Sequence, residues 1–360
     1  MAALAVVLVH AWMYGGANDP GMDETALDAV IGELRVALMS FFVLSGYLVV
    51  QPWLRAAVDG GPAPSVRRYL GKRAARILPA YWLALVGAYV LLHGTGHRRE
   101  AALGDLPYFA VFAQNQFEHT RTLLNPPTWS LAVEVSFYAL VPLIGWVLIV
   151  AIRRWGRAGA LAVAAALTAA GLAFTWAAYS GGWPPTATAS LPTYLPVFAC
   201  GIAAAALSHR RPAGRAARGA LLVAGCALVA ANGWWHHDGT GAAGKVLLDL
   251  PAAAGFALIV TALAVRAPRA LAAGPLRWIG IVSYGFYLWH MPVLYVLRLQ
   301  GWWAESPWMA YGTVVAVSLA LAAISWFGVE RWVVGETRQH RKQMRRPRAT
   351  ADPAASRGLA

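Results

Sequence analysis

Charged residues are scarce in this chain. Asp, Glu, Lys and Arg make up 13% of its 360 residues, against about 25% in an ordinary soluble domain. Apolar residues make up 59%. This balance excludes a water-soluble fold. It also excludes disordered chains and coiled coils, which need high charge or Glu- and Lys-rich heptads. The composition therefore predicts a protein that crosses a membrane several times.

Cysteine and the common catalytic motifs are almost absent as well. Cys200 and Cys226 both lie in apolar runs, so we expect no disulfide framework. GxSxG, Walker and CxxC patterns do not occur. The adjacent His236 and His237 with Asp238 lack a second ligand pair at useful spacing, so we predict no metal site.

Long apolar runs dominate what is present. A bilayer core about 30 Å thick requires about 20 apolar residues per helix. On this basis the sequence predicts an all-α, polytopic transmembrane bundle of about ten helices over residues 1–335, followed by a basic tail at 336–360 that we expect to be disordered. Segment 106–117 is too short and too polar to cross, and we predict it to be interfacial or re-entrant. The predicted spans are 1–14, 34–52, 76–93, 129–151, 158–178, 190–207, 219–233, 246–265, 278–298 and 308–331.

The formal net charge of +14 indicates a membrane topology rather than a nucleic-acid partner. Basic residues form short clusters between apolar runs, without the interleaved aromatics of a single-strand groove. When the loops alternate between two sides, 24 of the 30 Lys and Arg residues fall on one side. The positive-inside rule makes that side cytoplasmic. We therefore predict a multi-pass membrane protein with both termini in the cytoplasm and the loop 15–33 outside.

Three ionisable residues inside predicted spans are candidates for a catalytic site: His10, Glu134 and His290. Counted from the outer ends of their helices, all three fall in the middle to outer half of the membrane. A neutral histidine accepts a proton from a hydroxyl, and a nearby carboxylate orients the ring or stabilises the imidazolium. The alternative is that each residue makes only a packing hydrogen bond between helices.

A basic segment precedes the third span at residues 67–82. Arg73 and Arg76 lie three residues apart, on one face near the start of a helix, where guanidinium groups and the helix dipole both favour phosphate. Arg68 is a further candidate for an anionic ligand. The alternative is ordinary anchoring at the membrane surface by the positive-inside rule.

Five stretches, in order, resemble the membrane proteins of acyltransferase family 3, which include bacterial O-acetylases of surface glycans and acylases of macrolide antibiotics. The match covers residues 1–335, and its specificity comes from the five stretches together. They are AVVLVHAW (5–12), FFVLSGYLV (41–49), RAARILPAYWLAL (73–85), PTWSLAVEVSFY (127–138) and VSYGFYLWHMPVL (282–294).

The resemblance implies roles for particular residues. His10 corresponds to the first-helix histidine of the family, taken as the base on the acceptor hydroxyl. Arg73 and Arg76 match the R-x-x-R pair taken to hold the phosphates of coenzyme A, and Glu134 and His290 match the two later motifs. We assign substrate contacts to four residues of those motifs: Trp129, Ser130, Tyr284 and Tyr287.

The sequence departs from the family pattern at two places. The family usually has an Arg about ten residues before the first-helix histidine, and the first span is short. We therefore expect the natural protein to have further residues before Met1, including that Arg. Met39 and Ser40 stand where an Asp often precedes the FFVLSG motif.

These observations predict an integral membrane O-acyltransferase. We expect it to move an acyl group, such as acetyl, from acyl-CoA to a hydroxyl of a sugar, a cell-envelope glycan or a macrolide-like molecule. We expect acyl-CoA as the donor substrate and the lipid bilayer as the environment of the protein. We predict no metal cofactor. The rival hypothesis is a non-enzymatic transporter or lipid flippase with buried histidines as a proton relay. A third is a structural membrane protein whose basic tail recruits lipid or protein.

Overall fold

The computed structural model describes residues 2–14, 25–209, 214–238, 247–264, 274–303 and 306–335. These residues form helices and connecting loops, with no β-strand among them, which confirms the all-α prediction. The tail at 336–360 and the side chains of His236, His237 and Asp238 lie outside the described part of the chain. The α-helices are α1 Ala2–Tyr14, α2 Ala26–Glu33, α3 Ala37–Val58, α4 Val66–Leu92, α5 Leu106–Ala110, α6 Trp129–Ser180, α7 Pro185–Thr188, α8 Leu191–Ser208, α9 Arg215–Asp238, α10 Leu250–Leu263, α11 Gly274–Leu299 and α12 Pro307–Ser325.

Six of these helical segments are long and apolar enough to cross a membrane. Helices α1 and α10 are apolar but shorter. Every predicted span overlaps a helix of the structure, and the chain is a multi-pass membrane protein. The count of about ten crossings stays a prediction. The six segments are 66–92, 126–180, 185–208, 215–233, 276–299 and 307–335.

Helix α6 is two helices joined by a sharp turn. Gly156 has φ 59° and ψ −140°, a conformation that favours glycine. A Cβ placed on Gly159 would overlap the Ala151 carbonyl oxygen. Residues eight apart in a straight helix lie about 12 Å apart, so this contact requires the chain to reverse at Gly156. The two arms of α6 correspond to the separate spans predicted at 129–151 and 158–178.

Helices α3, α6 and α8 form the centre of the bundle. Two glycines let α3 and α8 approach closely. A Cβ on Gly46 would overlap the Phe198 carbonyl, and one on Gly201 would overlap the Val43 carbonyl. Close approach through small residues is the usual way for membrane helices to gain packing contacts, since lipid offers no hydrophobic driving force between helices. The FFVLSG stretch therefore fixes the position of α3 against α8.

The first helix and the last two helices pack together on the other side of the bundle. Helix α11 packs on α12 and α4, while α1 packs on α12, α3 and α11. The end of α1 is tied to α2, because Trp12 Nε1 donates a hydrogen bond to Asp28 Oδ1 at 2.6 Å. Asp28 also completes a capping box with Thr25, whose side chain and backbone hydrogen bonds hold the pKa of this carboxyl below its usual value. This arrangement brings α1 beside α11.

Candidate active site

A pair of stacked histidines lies where α1 meets α11. His10 Nδ1 is 3.0 Å from His290 Nε2, and the ring centroids are 5.1 Å apart at an interplanar angle of 27°. His290 is fully buried, with 0% of its surface exposed. The structure thus brings together two of the three ionisable residues that the sequence predicted for a catalytic site, across 280 positions of the chain.

The hydrogen bonds of His290 determine which nitrogen of His10 is free. His290 Nδ1 bonds to the backbone carbonyl of Tyr287. A carbonyl only accepts, so this nitrogen carries the proton. In neutral His290, Nε2 is then an acceptor, and His10 Nδ1–H must donate to it. The remaining nitrogen, His10 Nε2, keeps its lone pair and is the basic atom of the pair.

His10 lines a cavity of about 450 Å³, which we call the His10 cavity. It opens among α1, the start of α3 and the loops that the sequence predicts to be external. Trp129 and Tyr287, both predicted substrate contacts, line it as well. The Trp129 ring packs against Tyr194 with centroids 5.2 Å apart, which makes an aromatic wall. The cavity therefore has a base and an aromatic surface within one enclosure.

An ion pair that the sequence analysis missed also lines the His10 cavity. Arg35 Nη1 donates to Asp249 Oδ1 at 2.9 Å and to Oδ2 at 3.2 Å. Asp249 adopts φ 65° just before α10. It falls inside predicted span 246–265, and an acidic residue inside a span is a signal for function. Its partner Arg35, 214 residues away, falls inside predicted span 34–52 and carries the same signal.

A second cavity, which we call the arginine cavity, has a volume of about 210 Å³. It contains most of the other residues that the sequence singled out. Leu38 and Tyr287 line both this cavity and the His10 cavity, so they form a shared wall. The predicted site residues on its lining are Arg73, Arg76, Ser130, Glu134, Tyr284 and Tyr287.

Aromatic rings and one carboxylate hold the two arginines. The Arg73 guanidinium is 5.3 Å from the centroid of the Tyr138 ring. Arg76 donates to the Ile281 carbonyl at 3.3 Å and lies 3.9 Å from the Glu330 carboxylate. Glu330 ends a π-helical turn that follows α12, and it was not among the sequence candidates. Both guanidinium groups are thus positioned before any anion arrives.

Arg68, by contrast, lies outside the arginine cavity. It is exposed in the first turn of α4, where its backbone N–H donates to the capping Ser65 side chain at 3.4 Å. Its guanidinium does not line the cavity. The structure therefore separates Arg68 from the Arg73 and Arg76 pair.

Glu134 has different neighbours from those expected. Its carboxylate accepts hydrogen bonds from Ser45 and from Tyr138 Oη, the latter at 2.5 Å. Within the described part of the chain it forms no hydrogen bond with either histidine. The depth estimate placed Glu134 in the same layer of the membrane as His10, and the structure has it lining the arginine cavity. The i, i+4 spacing of Glu134 and Tyr138 on one helix was the available signal for this contact.

Tyr287 connects the two cavities. Its hydroxyl lies 2.8 Å from Ser130 Oγ and donates to the Pro127 carbonyl at 2.7 Å. Its own backbone carbonyl holds His290 Nδ1. Tyr284, one turn earlier, donates to the Ile77 carbonyl at 3.0 Å and so joins α11 to α4.

Segment 106–117 supports the Trp129 wall. It consists of the short α5 and a 3-10 helix at Gln114–Gln116. Asn115 Nδ2 donates to the Trp129 carbonyl at 2.8 Å and to the Ala189 carbonyl at 3.2 Å. Gln114 Nε2 donates to the Thr128 carbonyl at 3.3 Å. The polar amide side chains that make this segment unsuitable as a membrane span therefore hold the start of α6 in place.

Comparison with known proteins identifies the family. The family model of acyltransferase family 3, an acyltransferase domain, matches residues 1–327. The chain belongs to this family, which confirms the resemblance seen in the sequence. It is also 28% identical over 347 residues to Nodulation protein 10 of Rhizobium leguminosarum bv. viciae, covering 92% of this chain and 90% of that protein. No solved structure matches it significantly.

Proposed function

We propose that this membrane protein is an O-acyltransferase that moves an acyl group, such as acetyl, from acyl-CoA to a hydroxyl. The observation that carries the proposal is the pair of adjacent cavities with different chemistry. One holds two arginines, the other holds a histidine with a free ring nitrogen, and they share the wall of Leu38 and Tyr287. An anionic donor and a hydroxyl-bearing acceptor would approach from opposite sides of this wall.

The arginine cavity would take the donor. Arg73 and Arg76 would bind anionic oxygens of coenzyme A, because guanidinium groups pair with phosphate through strong charge-assisted hydrogen bonds. The arginine cavity is small, about 210 Å³. It therefore suits one end of the donor, while the rest extends toward the aqueous face. For transfer, the acyl end must pass the shared wall.

The His10 cavity would take the acceptor. The acceptor hydroxyl would give its proton to His10 Nε2 as its oxygen attacks the thioester carbonyl. The new C–O bond forms, the C–S bond breaks, and the proton passes on to the departing thiolate of coenzyme A. His290 would orient the His10 ring through its Nε2. The products are an acyl ester and free coenzyme A.

The acceptor would be a sugar, a cell-envelope glycan or a macrolide-like molecule. The His10 cavity, about 450 Å³, is of the size that accommodates a small organic ligand or the end of a larger one. The aromatic wall at Trp129 and the Arg35–Asp249 pair supply apolar and polar surfaces for a polyhydroxylated molecule.

The proposed orientation has both termini in the cytoplasm, on the side with 24 of the 30 basic residues. The arginine cavity then faces the cytoplasmic supply of acyl-CoA. The substitutions Asp23→Cys and Ser356→Cys, in a chain without its own cysteines, test this orientation. An impermeant thiol reagent should label position 23 in intact cells and position 356 only after lysis. Labelling of position 356 in intact cells would contradict it.

The test of activity uses purified protein in nanodiscs with labelled acetyl-CoA and a panel of sugar and macrolide acceptors. The expected result is free coenzyme A and one labelled ester product, both lost in His10→Ala. His93→Ala is the matched control, since His93 is an exposed residue outside both cavities. The transporter hypothesis predicts instead that labelled substrate crosses a vesicle membrane unchanged and that no ester forms.

A further inference from the structure

A third cavity, of about 670 Å³, lies apart from the two cavities of the candidate site. It forms where α3 ends, α6 turns and α8 ends. None of its lining residues belongs to the His10 cavity or the arginine cavity. Its volume falls within the range of about 300–1,000 Å³ that is typical of ligand pockets. We call it the interfacial cavity.

The lining of the interfacial cavity is apolar on one side and cationic on the other. Leu54, Ile152 and Ala206 contribute apolar surface. Arg153 and Arg157 contribute guanidinium groups from either side of the Gly156 turn. No carboxylate lines the cavity, although Asp59 is next in sequence to the lining residue Gly60.

The two guanidinium groups retain capacity for an anion. Arg153 Nη2 donates to the Gly61 carbonyl at 3.0 Å, which uses one of its five N–H donors. Arg157 makes no hydrogen bond or ion pair with any residue that the structure describes. A phosphate between them would receive charge-assisted hydrogen bonds from two sides.

Trp155 indicates the depth of the cavity mouth. This residue lies between the two arginines and is 62% exposed. Exposed tryptophans in membrane proteins concentrate at the level of the lipid headgroups. The arginines therefore lie at headgroup level, while Leu54, about one turn before the end of α3, lies toward the hydrocarbon. This gradient matches a molecule with a phosphate at one end and an acyl chain at the other.

We propose that the interfacial cavity binds one anionic phospholipid. Its phosphate lies between Arg153 and Arg157, and one acyl chain follows the apolar floor along α3 and the first arm of α6. The bound lipid joins α3, the α6 turn and α8 at the end of the bundle. Because it binds the folded protein, it also raises the free energy of unfolding.

Native mass spectrometry and thermal unfolding test this proposal with defined lipids. The protein is exchanged into nanodiscs of phosphatidylcholine with or without an equal amount of phosphatidylglycerol, and then released into mild detergent. Wild-type protein should retain one phosphatidylglycerol, and its melting temperature should rise with that lipid. Arg153→Gln/Arg157→Gln should lower the retained fraction about tenfold or more and abolish the rise. Arg154→Gln, at an exposed residue that does not line the cavity, is the matched control.

A second variant addresses the acyl chain. Val58→Trp places a large ring at the cavity mouth, at a position that is already 40% exposed and therefore tolerant of size. It should lower lipid retention while both arginines remain. Inorganic phosphate at millimolar concentration should not displace the lipid, since it lacks the chain.

Four results would overturn the proposal. Equal loss in Arg154→Gln would show diffuse surface charge instead of a site. Equal retention of phosphatidylcholine would remove the requirement for an anion. Displacement by inorganic phosphate would show a phosphate site, and displacement by acyl-CoA in equal amount would make the cavity part of the donor site.

Discussion

The hydrogen bonds of the histidine pair make a quantitative prediction about catalysis. If His10 Nε2 is the base, His10→Ala should lower turnover about 10²- to 10⁴-fold, the usual contribution of a positioned base. Binding of acyl-CoA should change little, because His10 does not line the arginine cavity. Added imidazole should restore part of the activity, since the substitution leaves room in the His10 cavity.

His290 should contribute less than His10, because it acts through the other ring. His290→Leu removes the acceptor of His10 Nδ1–H and leaves a buried donor unpaired. An unpaired buried donor costs about 1–3 kcal/mol, equivalent to a factor of about 5 to 150. His290→Gln retains an acceptor oxygen and should recover part of that loss. In a chain that already carries His10→Ala, neither substitution at position 290 should have a further effect on turnover.

The assay is single-turnover transfer in nanodiscs, with acyl-CoA binding measured separately and folding checked by size exclusion. Non-additivity is the diagnostic result, since residues that act as one unit do not contribute independently. Full activity in His10→Ala would remove the proposed base. Additive losses in the double variant would show that the two histidines act separately and that the assigned tautomer has no catalytic role.

The other predictions concern the arginine cavity and the wall. Arg73→Ala should weaken acyl-CoA binding by about 1.5–3 kcal/mol, measured by titration calorimetry, whereas Arg68→Ala should leave it nearly unchanged because Arg68 lies outside the cavity. The effects of Glu134→Gln and Arg73→Ala on donor binding should be non-additive, whereas the effects of Glu134→Gln and His10→Ala on turnover should be additive. The reverse pattern would show that Glu134 acts together with the histidines. Leu38→Trp should fill the shared wall, so that transfer falls at least tenfold, whereas donor affinity measured by titration should fall less because Arg73 and Arg76 remain. Unchanged transfer would mean that the acyl group takes another path.

Helix positions could be predicted from the sequence because apolar runs determine them locally. The predicted span 190–207 became Leu191–Ser208, and 278–298 lies within Gly274–Leu299. The turn at Gly156 falls in the gap between predicted spans 129–151 and 158–178, where basic residues are costly to place in hydrocarbon. The apolar runs do not predict how each helix is rotated about its own axis. Rotation depends on contacts with distant helices, such as Gly46 with Phe198.

Because the sequence does not give the rotation of each helix, the predicted and observed neighbours of Glu134 differ. Counting residues from a helix end gives depth, and on depth alone Glu134 and His10 fall in one layer. Two side chains at one depth meet only if their helices also turn the same faces toward each other. Glu134 turns toward Ser45 on α3, and His10 turns toward His290 on α11. The contact between the two histidines, 280 positions apart, has no local signal at all.

Tyr287 connects the predicted motifs of α6 and α11, although these motifs line two cavities. Its ring is part of the shared wall, its hydroxyl contacts Ser130 of the α6 motif, and its carbonyl holds His290 in the tautomer that leaves His10 Nε2 free. A side-chain substitution would change the wall but keep the carbonyl. The wall and the tautomer are therefore separate contributions of one residue. The Tyr-Leu-Trp-His motif links the arginine cavity to the His10 cavity through one turn of α11, because a hydrogen bond between His290 Nδ1 and the Tyr287 carbonyl connects residues i and i+3.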